Sequence, residues 1–208
     1  MQSNPIIQHT SEDQRIAVTD KVQLKRHLHE CLREEVMCSS KPFSWFRAIH
    51  KAMKCPERRF NFWWRVASYL YKNDKYLSKL LARRINRNLI RKYNTEIQLQ
   101  AVIGPGLNVT HFLSVVINGC AIIGRNFKVR QNATIGISGG MRDSNCKPVI
   151  TIGDNVEIGA GSCIIGNNLS IGNNVTIGAM SFINKDVPDN TIAYTEKSLI
   201  LKSKQKPS

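Results

Sequence analysis

No stretch of the 208 residues runs 18 apolar positions or more, which excludes a conventional membrane-spanning helix. The six cysteines (Cys31, Cys38, Cys55, Cys120, Cys146 and Cys163) form no CxxC pair and stand at no metal-ligand spacing from a histidine, so no metal is expected. The opening MQSNPIIQHTSEDQR lacks the charged start and apolar centre of a signal peptide, and the expectation is a cytoplasmic protein whose thiols are free and buried. Acids are scarce, 15 Asp and Glu against 30 Lys and Arg, for a formal net charge of +15. Histidine almost vanishes from the second half, where His111 is the only one after residue 50. The hydrophobic fraction of 42% is nevertheless ordinary for a globular protein, so disorder is not the default.

The charge is unevenly spread. Residues 41–92 hold fifteen Lys or Arg and only Glu57 and Asp74 as acids, so the basicity belongs to a segment rather than to the whole fold. Residues 1–15 are polar. From Ile16 to Met37, Leu24, Leu28, Cys31 or Leu32 and Val36 recur at helical spacing. Ser39-Ser40-Lys41-Pro42 is a break, after which helices are expected over Phe43–Lys54, Phe60–Lys72 and Lys75–Lys92.

At Glu96 the character changes. Gly, Asn, Val and Ile dominate, and an aliphatic residue followed by a small or polar one recurs every six positions. The beat runs through Ile103-Gly104 and Val109-Thr110, resumes two residues late at Ile117-Asn118, and holds at Ile123-Gly124, Val129-Arg130 and Ile135-Gly136. It restarts at Ile152-Gly153 and Ile158-Gly159, then continues after a one-residue slip at Ile165-Gly166, Ile171-Gly172, Ile177-Gly178 and Ile183. Six residues is neither a helical nor a strand period. It suits a solenoid in which each hexad is a short strand plus a turn, the aliphatic side chain stacking on its equivalents above and below. The Gly or Asn that follows is expected to take the turn conformation.

The beat breaks at three places. Thr110–Ser114 delays it by two residues, Ile137–Val149 forms a long insertion, and a single-residue slip falls at Cys163–Ile165. Loops on a rigid scaffold are where function concentrates. His111 lies in the first break, and imidazole is well suited to removing a hydroxyl proton near neutral pH.

The run Glu96-Ile97-Gln98, Ile103-Gly104, Thr110-His111, Val115-Val116-Ile117-Asn118 and Thr134-Ile135-Gly136 resembles the serine acetyltransferase branch of the hexapeptide acyltransferases. Within that branch it is most similar to the subgroup that includes a colanic acid biosynthesis acetyltransferase. Ile152–Val156, Ile158–Gly161 and Asp186-Val187-Pro188-Asp189-Asn190 extend the resemblance over about residues 93–200. It implies a mainly β fold, a left-handed parallel β-helix over 96–197, preceded by a small basic α-helical domain over 1–95 and followed by a basic tail at 198–208. It also implies a homotrimer with acetyl-CoA in the groove between adjacent β-helices. His111 would be the general base, and Glu96, fifteen residues earlier, the carboxylate that orients it. Gly159, Ala160, Gly178 and Ala179 would meet the pantetheine arm through backbone, and Lys185 and Lys197 the CoA phosphates. Asn118 and Lys147 are the candidate acceptor contacts.

Two departures stand out. Serine acetyltransferases end the long loop with Asp-Arg-His-Pro, where this sequence has Asn145-Cys146-Lys147-Pro148, and Met180 replaces a usual glycine. Loss of the acceptor-side signature with retention of the base points to a sugar hydroxyl of a bacterial surface polysaccharide or its precursor. Serine O-acetylation is the alternative, and a non-catalytic scaffold binding an anionic partner is the rival of another class. The basic segment also interleaves rings, among them Phe43, Trp45, Phe46, Phe60, Phe62, Trp63, Trp64, Tyr69, Tyr71 and Tyr76. Helix packing with snorkelling cations is the first reading of it. Contact with an anionic membrane, at the inner face if the acceptor is lipid-linked, is the second. No nucleic-acid motif is present.

Overall fold

The computed structural model describes residues 21–139 and 148–198. Among the described residues four α-helices come first: α1 (Lys21–Leu32), α2 (Trp45–Lys54), α3 (Pro56–Lys72) and α4 (Tyr76–Tyr93). Leu24, Leu28, Cys31 and Leu32 are the buried stripe of α1, as their spacing predicts. A π-helical turn, Arg33–Met37, extends α1 and ends at Cys38 in the left-handed region. The third helix starts four residues before Phe60, because Pro56 occupies the first helical turn, where its missing N–H costs nothing. Among the described cysteines only Cys31 is buried, and Cys38 is exposed, so the expectation of buried thiols holds for one position.

The described residues between 95 and 193 form a parallel β-solenoid whose fourteen short strands run from β1 (Thr95–Ile97) to β14 (Ile192–Ala193). The chain visits three sheets in rotation, A (β1-β4-β7-β10-β13), B (β2-β5-β8-β11) and C (β3-β6-β9-β12-β14). Ile97, Ile117, Ile135, Ile164 and Ile183 stack inside sheet A. Ile103, Ile123, Ile152 and Ile171 do so in sheet B. Val109, Val129, Ile158, Ile177 and Ala193 complete the prism from sheet C.

Two expectations are corrected here. The slip does not move the inward position to Ile165. Ile164 is the buried residue, six after Ile158, while Ile165 pairs outward with Gly136, and the extra residue falls in the following corner at Gly166–Asn167. The residue after the inward aliphatic is also not the one that needs an unusual backbone. Left-handed conformations belong to corner residues further on, among them Asn126, Asn155, Asn174 and Asn190, with Asn132, Gly161 and Met180 at another corner. The side chains of the first four form a ladder from coil to coil, at 2.9, 3.1 and 3.0 Å. The glycines are small because the coils approach closely. A Cβ on Gly153 would stand 2.8 Å from the backbone of Gly172.

The helical region covers the first coil. Carbonyls of Ile117, Ile123 and Phe127 in the second coil accept hydrogen bonds from backbone N–H groups of the first. Their first-coil equivalents, Ile97, Ile103 and Leu107, have no coil above and accept instead from Trp64 Nε1, Arg65 Nη1 and Asn61 Nδ2, at 3.0, 2.6 and 2.9 Å. Lys72 Nζ reaches Ala101 O at 2.8 Å. These donors, at positions 61, 64, 65 and 72, share one face of α3, and they satisfy carbonyls that would otherwise be stranded. Trp64 and Phe60, both about 1% exposed, close the hydrophobic column below. Packing is therefore what most of the ring-rich segment does.

Candidate functional site

The first break in the repeat lies at the corner between sheets C and A of the first coil. It is held from three sides. Phe112 packs between Phe60 and Tyr93, at ring-centroid distances of 4.7 and 5.3 Å. The Ser114 N–H donates to Asn94 O at 2.7 Å, and Leu113 O accepts from Asn132 N–H at 2.8 Å. His111 therefore sits at the tip of a pinned loop, exposed, with no described residue hydrogen bonded to its ring.

All the candidate cofactor residues but Lys185 fall on the same prism edge in lower coils. Gly161 N–H donates to Gln131 O at 3.0 Å, and Met180 N–H to Ala160 O at 2.7 Å, so the corners stack. Lys197 Nζ donates to Ala179 O at 2.8 Å and ends the series. The structure thus brings His111, Gly159, Ala160, Gly178, Ala179 and Lys197 to one edge. From the coil of His111 to that of Ala179 is three steps, about 14 Å at ~4.8 Å per step. The smallness of Gly159 has a second cause, because its Cβ would lie 2.5 Å from Ala179 N.

The remaining candidates lie elsewhere. Glu96 is half-buried on the outer face of sheet A, opposite Val116, and makes no ion pair with His111 within 4.0 Å. Asn118 occupies the corner between sheets A and B, where its Oδ1 accepts from Cys120 N–H at 3.0 Å. Lys185 is exposed on that same second edge. Lys147 lies outside the described residues. The two edges flank sheet A, and within one chain they do not meet.

One feature of the site was not anticipated. A cleft of about 500 Å³ opens between α3 and the first coil, lined by Glu57, Arg58, Asn61, Thr110, Phe112 and Lys128 among others. It reaches both neighbours of His111. Asn61 Oδ1 and Thr110 Oγ1 are buried there without a partner among the described residues. Such atoms are costly unless a ligand or water satisfies them. The visible signal was a polar Asn61 between Phe60 and Phe62, which the aromatic pattern masked.

No known protein-family profile matches the chain. It is 37% identical over 144 residues to serine acetyltransferase 3, mitochondrial, of Arabidopsis thaliana, covering 69% of this chain and 35% of that protein. It is 40% identical over 108 residues to a protein of Escherichia coli named as a colanic acid biosynthesis acetyltransferase, covering 52% of this chain and 64% of that one. Among solved structures, serine acetyltransferase isoform 3 from Entamoeba histolytica, in complex with cysteine, superposes with a TM-score of 0.66 at 26% identity. That match covers 88% of this chain and 62% of the other. The chain spans about a third of the plant relative and just under two thirds of the bacterial one. The repeat, the helical region before it and these likenesses agree: the chain has the left-handed β-helix fold of the serine acetyltransferase structures, and its sequence is similar to serine acetyltransferase-like hexapeptide-repeat acyltransferases.

Proposed function

We propose that the chain is an acetyl-CoA-dependent O-acetyltransferase in which His111 is the general base. The observation that carries this reading is the single prism edge on which a pinned, exposed histidine stands above stacked small-residue corners, with a lysine at the far end. Acetyl-CoA lies along that edge with its thioester beside His111. The imidazole takes the acceptor hydroxyl proton as the oxygen attacks the thioester carbonyl. A tetrahedral intermediate forms, the C–S bond breaks, and the CoA sulfur leaves with the proton returned by the imidazolium. Glu96 stabilises that charged ring.

Because the candidate residues divide between two edges flanking sheet A, we infer a homotrimer. One chain's His111 edge and a neighbour's Asn118 and Lys185 edge then form each groove. The outer face of sheet A supports this, since Val116 and Phe182 are 36% and 55% exposed on it. L-Serine is the acceptor favoured by the relatives' names. A sugar hydroxyl is the second reading, favoured by the E. coli relative and by Asn145–Pro148 in place of Asp-Arg-His-Pro. Release of CoA thiol measured with L-serine, and separately with surface-polysaccharide precursors, distinguishes the two. Turnover with neither acceptor leaves a non-catalytic solenoid and ends the proposal.

A further inference from the structure

The helical region leaves an apolar surface uncovered. On α2, Ala48 and Ala52 are buried, but the apolar arc continues round the helix through Ile49, Met53 and Phe46, which are 44%, 70% and 81% exposed. His50, Lys51 and Lys54 follow on the next face. At the end of α2, Arg59 donates to Ala52 O and Met53 O, at 3.2 and 2.6 Å. The same Arg59, with the exposed Trp63, forms one wall of an apolar cavity of about 260 Å³. The opposite wall is α4, through Ile85, Leu89 and Lys92. Leu77 and Leu81, 77% and 50% exposed, lie on the same helical stripe as Ile85, Asn88 and Lys92. Exposed Arg84, Arg87 and Arg91 run beside them.

An apolar patch rimmed by charge marks a docking surface, and the charge selects among occupants. Residues 41–92 carry thirteen of the fifteen net positive charges, so two copies of this face would repel each other. A nucleic acid would satisfy the arginines but offer nothing to Ile49, Met53, Leu77 and Leu81. We propose that this surface docks the protein on an anionic lipid bilayer. Phe46, Ile49 and Met53 enter the acyl boundary, Trp63 sits at headgroup level, and the lysines and arginines meet lipid phosphates. No described helix is long and apolar enough to cross a membrane, so the contact is peripheral.

The test is co-sedimentation of the full chain with vesicles of phosphatidylcholine alone or mixed with phosphatidylglycerol. Binding is expected only to the mixed vesicles and weakens as salt rises. A Phe46→Glu/Ile49→Glu/Met53→Glu variant is expected to lower vesicle partitioning at least about tenfold, with circular dichroism unchanged because the three side chains face solvent. Arg84→Ala/Arg87→Ala/Arg91→Ala should weaken it through charge alone. Failure to bind mixed vesicles, equal binding to neutral ones, or an unaffected glutamate variant overturns the proposal. So does tighter binding to a single-stranded oligonucleotide, or an oligomer in sedimentation velocity that the glutamate variant dissolves.

Discussion

Arg65 and Glu35 meet as a two-pronged ion pair, Nη2 to Oε1 at 2.6 Å and Nε to Oε2 at 3.0 Å, with both side chains almost wholly buried. The pair joins α3 to the π-helical turn, and Glu35 Oε1 also accepts the N–H groups of Gly106 and Leu107, at 3.1 and 3.0 Å. Burial pushes the Glu35 carboxyl up, against the pull of Arg65 and those two donors. Glu35→Ala is expected to cost about 3–5 kcal/mol in urea unfolding, because it strands a buried guanidinium. Replacing both residues by methionine should recover only part of that loss, because Ile103 O, Gly104 O and the N–H groups of Gly106 and Leu107 then lose their partners.

A pH dependence follows from His27, which lies 3.5 Å from Cys31 Sγ. Burial, then the charges of Arg65 and Lys72, bring its pKa down to about 4. The unfolded chain takes this proton near 6.5, so between those values the unfolded state binds more protons. The contribution is fully present above pH 6.5 and falls as pH drops towards 4, by up to about 3 kcal/mol. Denaturant midpoints measured across that window should decline more steeply for wild type than for His27→Gln.

Ile164→Ala and Ile165→Ala separate the inward position from its outward neighbour. Ile164 is fully buried between Ile135 and Ile183, and its truncation should cost about 2–5 kcal/mol. Ile165→Ala should cost less than about 1 kcal/mol. The reverse order in thermal unfolding would put the slip back where the hexad count places it.

His111→Ala is expected to lower kcat roughly 10²–10⁴-fold, the usual loss for positioned proton transfer. Its melting temperature should hardly move, since the loop is fastened by Phe112 and backbone. Glu96→Gln should be milder. Near wild-type turnover from His111→Ala on the true acceptor would remove the mechanism.

Gly159→Ala asks what that glycine is for. A methyl group would press on Ala179 backbone at 2.5 and 2.7 Å, and a loss of about 1–3 kcal/mol in stability is expected without any ligand present. If stability is unchanged and only the KM for acetyl-CoA rises, the residue serves the cofactor instead.

The solenoid was legible because burying one aliphatic per strand leaves a period that neither helix nor sheet shares. Residue spacing also marked the loop of His111. What could not be read was the third dimension of a corner. Nothing in the spacing of Asn118 and His111 says that they lie on different edges, since that depends on counting sheets rather than residues. The spacing points to Ile165 rather than Ile164 because both are aliphatic and the glycine after the second imitates the repeat. The cleft near Asn61 required knowing that α3 lies across the first coil.

The way α3 closes the solenoid has an evolutionary side. Asn61, Trp64, Arg65 and Lys72 donate to carbonyls, and Glu35 accepts from N–H groups, so every one of these bonds to the first coil is made to main chain. Main-chain recognition is blind to side-chain identity. Coils beneath the lid are free to drift in sequence, or to be gained and lost in whole turns, while the lid still finds the same pattern of oxygens. Length can diverge in such a protein without renegotiating how the solenoid is stoppered.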